Sequence, residues 1–215
     1  MALMFEAIER AARRQGYFAV VATCGDDADA ERRATETLLD RGVDGLILAT
    51  ARIDDSLPAS LRERGIPHVL VLRTDGVSPS ALGDDETGGY LAVRHLLDLG
   101  HRDIAVVTGP WFTSSGQDRL RGAQKALAEA GIDLPDGRVI STGYGVDAGS
   151  EAGYTLLRAE ARPTAIFAAN DNLAIGIIGA ARNLGILPGQ DLSIVGYNDI
   201  PVSYTHLTLP TILLV

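Results

Sequence analysis

Residues 163–201 read PTAIFAANDNLAIGIIGAARNLGILPGQDLSIVGYNDIP. An apolar run, Ala165-Ile166-Phe167-Ala168, stops at the polar pair Asn170-Asp171, a helical stretch follows, and a second apolar run, Leu192 to Gly196, stops at Asn198-Asp199. Short apolar runs bounded by turn residues and separated by a helix are buried parallel strands joined by a crossover. Both polar pairs therefore fall at the carboxyl ends of neighbouring strands, the edge at which open α/β sheets bind small ligands.

Working outward, the same alternation covers nearly the whole chain. Strands are predicted at 17–23, 44–49, 67–72, 103–108, 138–142, 164–168 and 192–197. Helices are predicted at 3–15, 29–41, 55–64, 86–99, 116–130, 149–159 and 171–184. Gly42, Gly65, Gly100, Gly131 and Gly185 stand just past the last apolar turn of several of these helices, where a left-handed residue closes a helix. Repeated βα units imply an α/β fold with parallel sheets covered by helices on both faces. The polar, turn-rich stretch 73–85 (RTDGVSPSALGDD) interrupts the rhythm and reads as the crossing between two similar doubly wound subdomains, or as a long βα loop within one.

At 215 residues, 46% of them hydrophobic, the chain suits one large or two small domains. The formal charge of −9, with Lys125 the only lysine, leaves no basic footprint for nucleic acid on this chain. A single cysteine, Cys24, excludes an internal disulfide and a cysteine-based zinc site. No apolar run has the length of a membrane span and the amino terminus lacks a signal-peptide core, so a cytoplasmic location is expected.

The order of these segments resembles the effector-binding core of LacI-type transcriptional repressors, which has the type I periplasmic-binding-protein-like fold. The resemblance rests on AIERAARRQGY, DGLILA, GIPHVLVLR, DDETGGYLAVRHLLDLGHRDIAVVTGP, DRLRGAQKALAEAG and the stretch quoted first, over roughly residues 5–203. It implies an amino-terminal subdomain at 1–83, lacking its first strand, a carboxy-terminal subdomain at 84–203, and an atypical tail at 204–215. It also implies that the chain starts inside the first core helix, with the DNA-binding headpiece outside it. An isolated chain with an incomplete first subdomain is expected to be weakly stable.

The resemblance implies a small sugar-like effector, or a purine, held between the subdomains. Arg119, in the QDRLRG run, stands where the family carries its ligand-binding arginine, and Asn170 matches a strand-end asparagine that contacts effector. Planar forks of this kind meet two adjacent hydrogen-bonding groups at once, although Asn170 equally suits a helix N-cap. Asn198 matches the preferred contact at the second corner, while Asp199 either joins it or fixes the turn. Arg73 matches a common arginine, whereas Leu72 departs from the aspartate that many relatives place there. Trp111 and Phe112, after Gly109-Pro110, either stack on a ring at the cleft mouth or pack the loop. A homodimer is implied, with the apolar helix segment 173–178 as one candidate contact, and operator DNA is implied only through the absent headpiece.

Catalysis finds little support. His68, His95, His101 and His206 are scattered without metal-ligand spacing, no GxSxG elbow occurs, and neither a GxGxxG fingerprint nor a P-loop is present. A non-enzymatic chain without cofactor or metal is expected. Two readings remain: the sensory core of a DNA-binding repressor, and a sugar-binding protein of a transport or chemotaxis system.

Overall fold

The computed structural model describes residues 2–200, and the expected tail at 204–215 lies outside them. The chain forms two parallel sheets. The first carries β1 (Leu46–Leu48), β2 (His68–Val71) and β3 (Ser80–Ala81) in that order, preceded by α1 (Ala2–Arg14) and α2 (Ala28–Asp40), with α3 (Leu57–Glu63) joining β1 to β2. The second has the order β5-β4-β6-β7, built from β4 (Ile104–Thr108), β5 (Val139–Ser141), β6 (Ala165–Ala168) and β7 (Ser193–Val195). Helices α4 (Asp85–Asp98), α5 (Ser114–Glu129), α6 (Val146–Leu157) and α7 (Asp171–Asn183) alternate with these strands. The chain leaves the first sheet after Ala81 and reaches the second through α4, so the polar 73–85 stretch contains the crossing.

Strand alternation sorts the second core into two layers. Ile104, Val106, Ala165, Phe167 and Val195 pack with α4 and α5, while Ala105, Val107, Ile166, Ala168 and Ile194 pack with α6 and α7. Leu173, Ala174, Ile177 and Ile178 are buried in the latter layer, so most of the helix face considered for dimer contact is spent inside its own lobe. The first sheet buries Leu46, Leu48 and Leu70 against Leu57 and Leu61 of α3.

The predicted strand at 17–23 does not form. The segment is irregular, and Tyr17, Phe18, Val20 and Val21 are all more than half exposed. Its β-branched and aromatic residues favour extended backbone, but a strand needs a hydrogen-bonded neighbour, and among the described residues none lies alongside. Conversely, β3 was hidden in a polar stretch: only two residues long and exposed, it has no apolar pattern to read. The bend before it is held by Asp75, whose Oδ1 accepts from the Val77 and Ser78 amides at 3.0 and 2.7 Å and whose Oδ2 meets the Arg62 guanidinium at 2.5 Å. Burial opposes the charge of Asp75, yet these donors hold its carboxyl far below the usual 3.8.

Two close helix pairs fix the shape of the second lobe. A Cβ at Gly89 of α4 would lie 2.0 Å from the Arg119 carbonyl oxygen of α5, and one at Gly122 of α5 would lie 1.9 Å from the Glu86 carbonyl oxygen. Gly149 of α6 and Gly176 of α7 permit the same approach on the other face. Backbone thus meets backbone where glycine removes the intervening side chain.

Candidate ligand-binding site

The winding of the second sheet reverses at β4, which lies between β5 and β6, and the crevice at the carboxyl ends of β4 and β6 is the natural ligand position in such a sheet. A cavity of about 490 Å³ opens at this end of the lobe, lined by Leu72 after β2, by Gly83 and Asp84 in the crossing, and by Asp85, Thr87, Gly88, Arg119, Tyr197 and Asn198. Helix α4 starts at its wall: Asp84 is the N-cap, its side chain accepting from the Thr87 amide at 3.0 Å.

Arg119 projects from the second turn of α5 and is only 9% exposed. Its Nε donates to Asp85 Oδ1 at 2.8 Å, its Nη1 donates to the Ala169 carbonyl just beyond β6, and its guanidinium lies 3.8 Å from the Tyr197 ring centroid. The Tyr197 ring in turn rests on Gly88, where a Cβ would come within 2.3 Å of its hydroxyl oxygen. Burial raises the Tyr197 pKa above its usual 10.0, so the phenol stays protonated. The arginine is therefore oriented by a carboxylate, a carbonyl and an aromatic face before any ligand arrives.

The turn after β7 is anchored by Asp171, the first residue of α7. Its amide donates to the Tyr197 carbonyl at 3.0 Å, and its Oδ2 accepts from the Ile200 amide at 2.7 Å. Burial raises the Asp171 carboxyl above its usual 3.8 despite these bonds. Asn198 and Asp199 within this turn have φ of 96° and 50°, and Leu72 on the opposite wall has φ of 66°. Left-handed backbone is unusual for such residues, most of all for leucine, and clusters where surrounding structure holds a site in shape.

The structure divides the expected site residues into groups. Arg119 and Asn198 line the cavity, and Asp199 follows Asn198 in the same turn. Asn170 is the N-cap of α7: its Oδ1 accepts from the Leu173 amide at 2.8 Å and its Nδ2 donates to the Tyr144 carbonyl at 3.1 Å. Arg73 is buried after β2, paired with Asp26 at 2.5 Å, with its guanidinium 5.5 Å from the Tyr144 ring centroid across the lobes. Trp111 is 55% exposed, with its carbonyl accepting from Gln117 Nε2. Phe112 joins the lobes, its ring 3.4 Å from the Arg52 guanidinium carbon and its carbonyl accepting from the Ile53 amide at 3.0 Å. A further bond across the same seam runs from the Thr74 amide to Ser114 Oγ at 2.9 Å. Sequence reasoning passed over Asp85 and Tyr197. The only available signal was their membership of the capped DDET start and the GYND corner, neither of which shows that both meet one arginine.

Beside Arg73, Glu31 of α2 is buried and accepts from Thr50 Oγ1 at 2.7 Å. Burial raises its pKa above the usual 4.5, outweighing that hydrogen bond. Among the described residues no group of three or more His, Cys, Asp and Glu side chains is placed to hold a metal ion, and no helix is long and apolar enough to cross a membrane.

The family model for periplasmic binding proteins and the sugar-binding domain of the LacI family matches residues 2–213. The chain is 31% identical over 205 residues to the HTH-type transcriptional repressor PurR of Klebsiella pneumoniae, covering 92% of this chain and 59% of that protein. It thus spans about three fifths of the length of the curated relatives it matches. Among solved structures, a LacI-family transcriptional regulator from Mycobacterium smegmatis superposes with a TM-score of 0.87 at 32% identity, over 97% of this chain and 77% of that one. The transcriptional regulator CelR in complex with cellobiose superposes with a TM-score of 0.85 at 31% identity, over 95% of this chain and 63% of that one.

Proposed function

The chain belongs to the family of periplasmic binding proteins and LacI-type sugar-binding domains, and we propose that within it this is the effector-sensing part of a DNA-binding transcriptional regulator. The carrying observation is the cavity at the strand ends, where a buried guanidinium is held ready by Asp85, Ala169 and Tyr197 while Leu72 after β2 and Gly83 in the crossing close the opposite wall. A ligand bridging these walls favours one lobe orientation over another, and that differential affinity is the currency of allosteric control. The relatives are transcriptional regulators, which favours the sensor over a transport component and binding over catalysis.

In this reading the boundary falls at 83/84, Arg119 and Asn198 contact the ligand directly, and Asp199 holds the corner beside them. Arg73 and Asn170 flank the cleft through Tyr144, and Trp111 stands at its mouth. The effector is a sugar, such as the cellobiose bound by CelR, or a purine. The regulator acts in the cytoplasm as a homodimer, and contacts operator DNA through a segment other than this chain. Thermal denaturation against monosaccharides, cellobiose, hypoxanthine and guanine is the direct test. A true ligand adds about 2.7 kcal/mol of stability at a hundredfold excess over its Kd, and the gain should vanish in Arg119→Ala. A shift that persists in Arg119→Ala would refute the site.

A further inference from the structure

We propose that Asp85 sets the charge selectivity of the cavity, admitting neutral polyhydroxyl ligands and rejecting anionic ones; the inference rests on the ligand-binding reading above and names the ligand class. Among the described residues three charged side chains line the cavity, Asp84, Asp85 and Arg119. The cation of this set is already neutralised: Arg119 Nε donates to Asp85 Oδ1 at 2.8 Å, with both side chains nearly buried, at 11% and 8% exposure. Asp84 remains ionised, because its bond from the Thr87 amide holds its carboxyl below the usual 3.8. Two carboxylates thus face one guanidinium. The positive end of α4 offsets part of this excess, but the Asp84 carboxylate already occupies it.

The hydrogen-bonding inventory points to the same class. Arginine carries five N–H donors; Asp85 and the Ala169 carbonyl account for two, and Tyr197 packs against the guanidinium as well, so the donors that remain to Arg119 on the cavity side are what a ligand would meet. Asp85 Oδ2 and the Asp84 carboxylate are acceptors only, and the Asn198 amide supplies both functions. A vicinal diol, each hydroxyl donating once and accepting as well, matches neighbouring donors and acceptors of this kind. A phosphate or carboxylate offers acceptors alone, and would set like charge against Asp85. At about 6 Å and an effective dielectric near 20, one unit charge changes anion affinity about a hundredfold.

The test is the nearly isosteric Asp85→Asn, which keeps an oxygen for Arg119 Nε and removes the charge. Inorganic phosphate, glucose, glucose 6-phosphate, ribose and ribose 5-phosphate are titrated into wild type, Asp85→Asn and the double variant Asp85→Asn/Arg119→Ala, with far-UV circular dichroism to verify folding. The expected result is no phosphate binding by wild type, at least a tenfold gain in affinity for phosphate and the phosphorylated sugars in Asp85→Asn, and loss of that gain in the double variant. Unchanged phosphate affinity in a folded Asp85→Asn overturns the proposal. So does wild type binding a phosphorylated sugar as tightly as its neutral parent, a comparison that needs no variant and stands if Asp85→Asn fails to fold. A gain for phosphate without any sugar binding would uphold Asp85 as the charge filter and sink the sugar-sensing reading, so the two fail separately.

Discussion

Gly89→Ala should be destabilising although alanine is the better helix former, and its consequence should reach the ligand site. The added Cβ would stand 2.0 Å from the Arg119 carbonyl oxygen and 2.7 Å from its Cα, so α5 must retreat by about 1 Å to restore ordinary contact. Both partners are backbone and neither can rotate away. Overpacking of this kind costs up to about 3 kcal/mol, against about 1 kcal/mol gained from helix propensity, a net loss near 2 kcal/mol. Gly179→Ala in α7 is the matched control: nothing lies within 4 Å of its added Cβ, so propensity acts alone and the variant should gain about 0.5–1 kcal/mol. Urea unfolding followed by circular dichroism measures both, as opposite shifts of midpoint at constant slope. Because the displaced atom belongs to Arg119 itself, Gly89→Ala should also weaken the best ligand found by thermal shift at least tenfold. A Gly89→Ala protein as stable as wild type would show that α4 and α5 are not held at backbone contact, and the account of how Arg119 is positioned would fall with it.

Leu72→Gly should leave stability unchanged or slightly higher, since relief of left-handed strain of about 1–2 kcal/mol offsets the entropy of a new glycine, whereas Leu72→Val should cost at least about 1 kcal/mol in the same melts; a large loss in Leu72→Gly would show that the φ of 66° stores no strain. Glu31 binds its proton more tightly in the folded protein than in the unfolded chain, so its contribution to stability is full below about pH 4.5 and is lost as pH rises through the folded pKa. Glu31→Gln keeps an acceptor for Thr50 and should flatten the decline of the urea midpoint as pH rises above 4.5; an unaltered pH profile would contradict a strained Glu31 carboxylate.

The legible parts of this fold were those written in local pattern. Hydrophobic runs such as Ala165–Ala168 and Ile104–Thr108 form strands because they are buried on both faces and need no alternation to be recognised. Gly42, Gly65, Gly100, Gly131 and Gly185 do close their helices in the left-handed region, as expected of residues whose conformational requirement is their own. Residues 17–23 misled because strand propensity describes a side chain while a ladder describes a pair. Of the residues on the cavity wall, Arg119 and Asn198 had been named through family resemblance. Asp85 and Tyr197 were not, since their role exists only once Gly89 and Gly122 let α4 and α5 touch and Gly88 makes room for the Tyr197 ring. Phe112 left two readings open, a stacking face for a ligand or loop packing, and in the structure one face of its ring carries the Arg52 guanidinium.

The seam between the lobes differs in chemistry from the lobes it joins. Among the described residues its polar contacts include a main-chain bond from Ile53 to Phe112, a hydroxyl accepting from the Thr74 amide, and two guanidinium groups lying on aromatic rings. The ion pairs among the described residues all lie within one lobe or the other. Screening by dissolved salt acts most strongly on exposed opposite charges, and among the described residues no ion pair crosses this seam. The contacts that join the lobes should therefore hardly weaken as ionic strength rises, whatever salt does to the ion pairs inside each lobe.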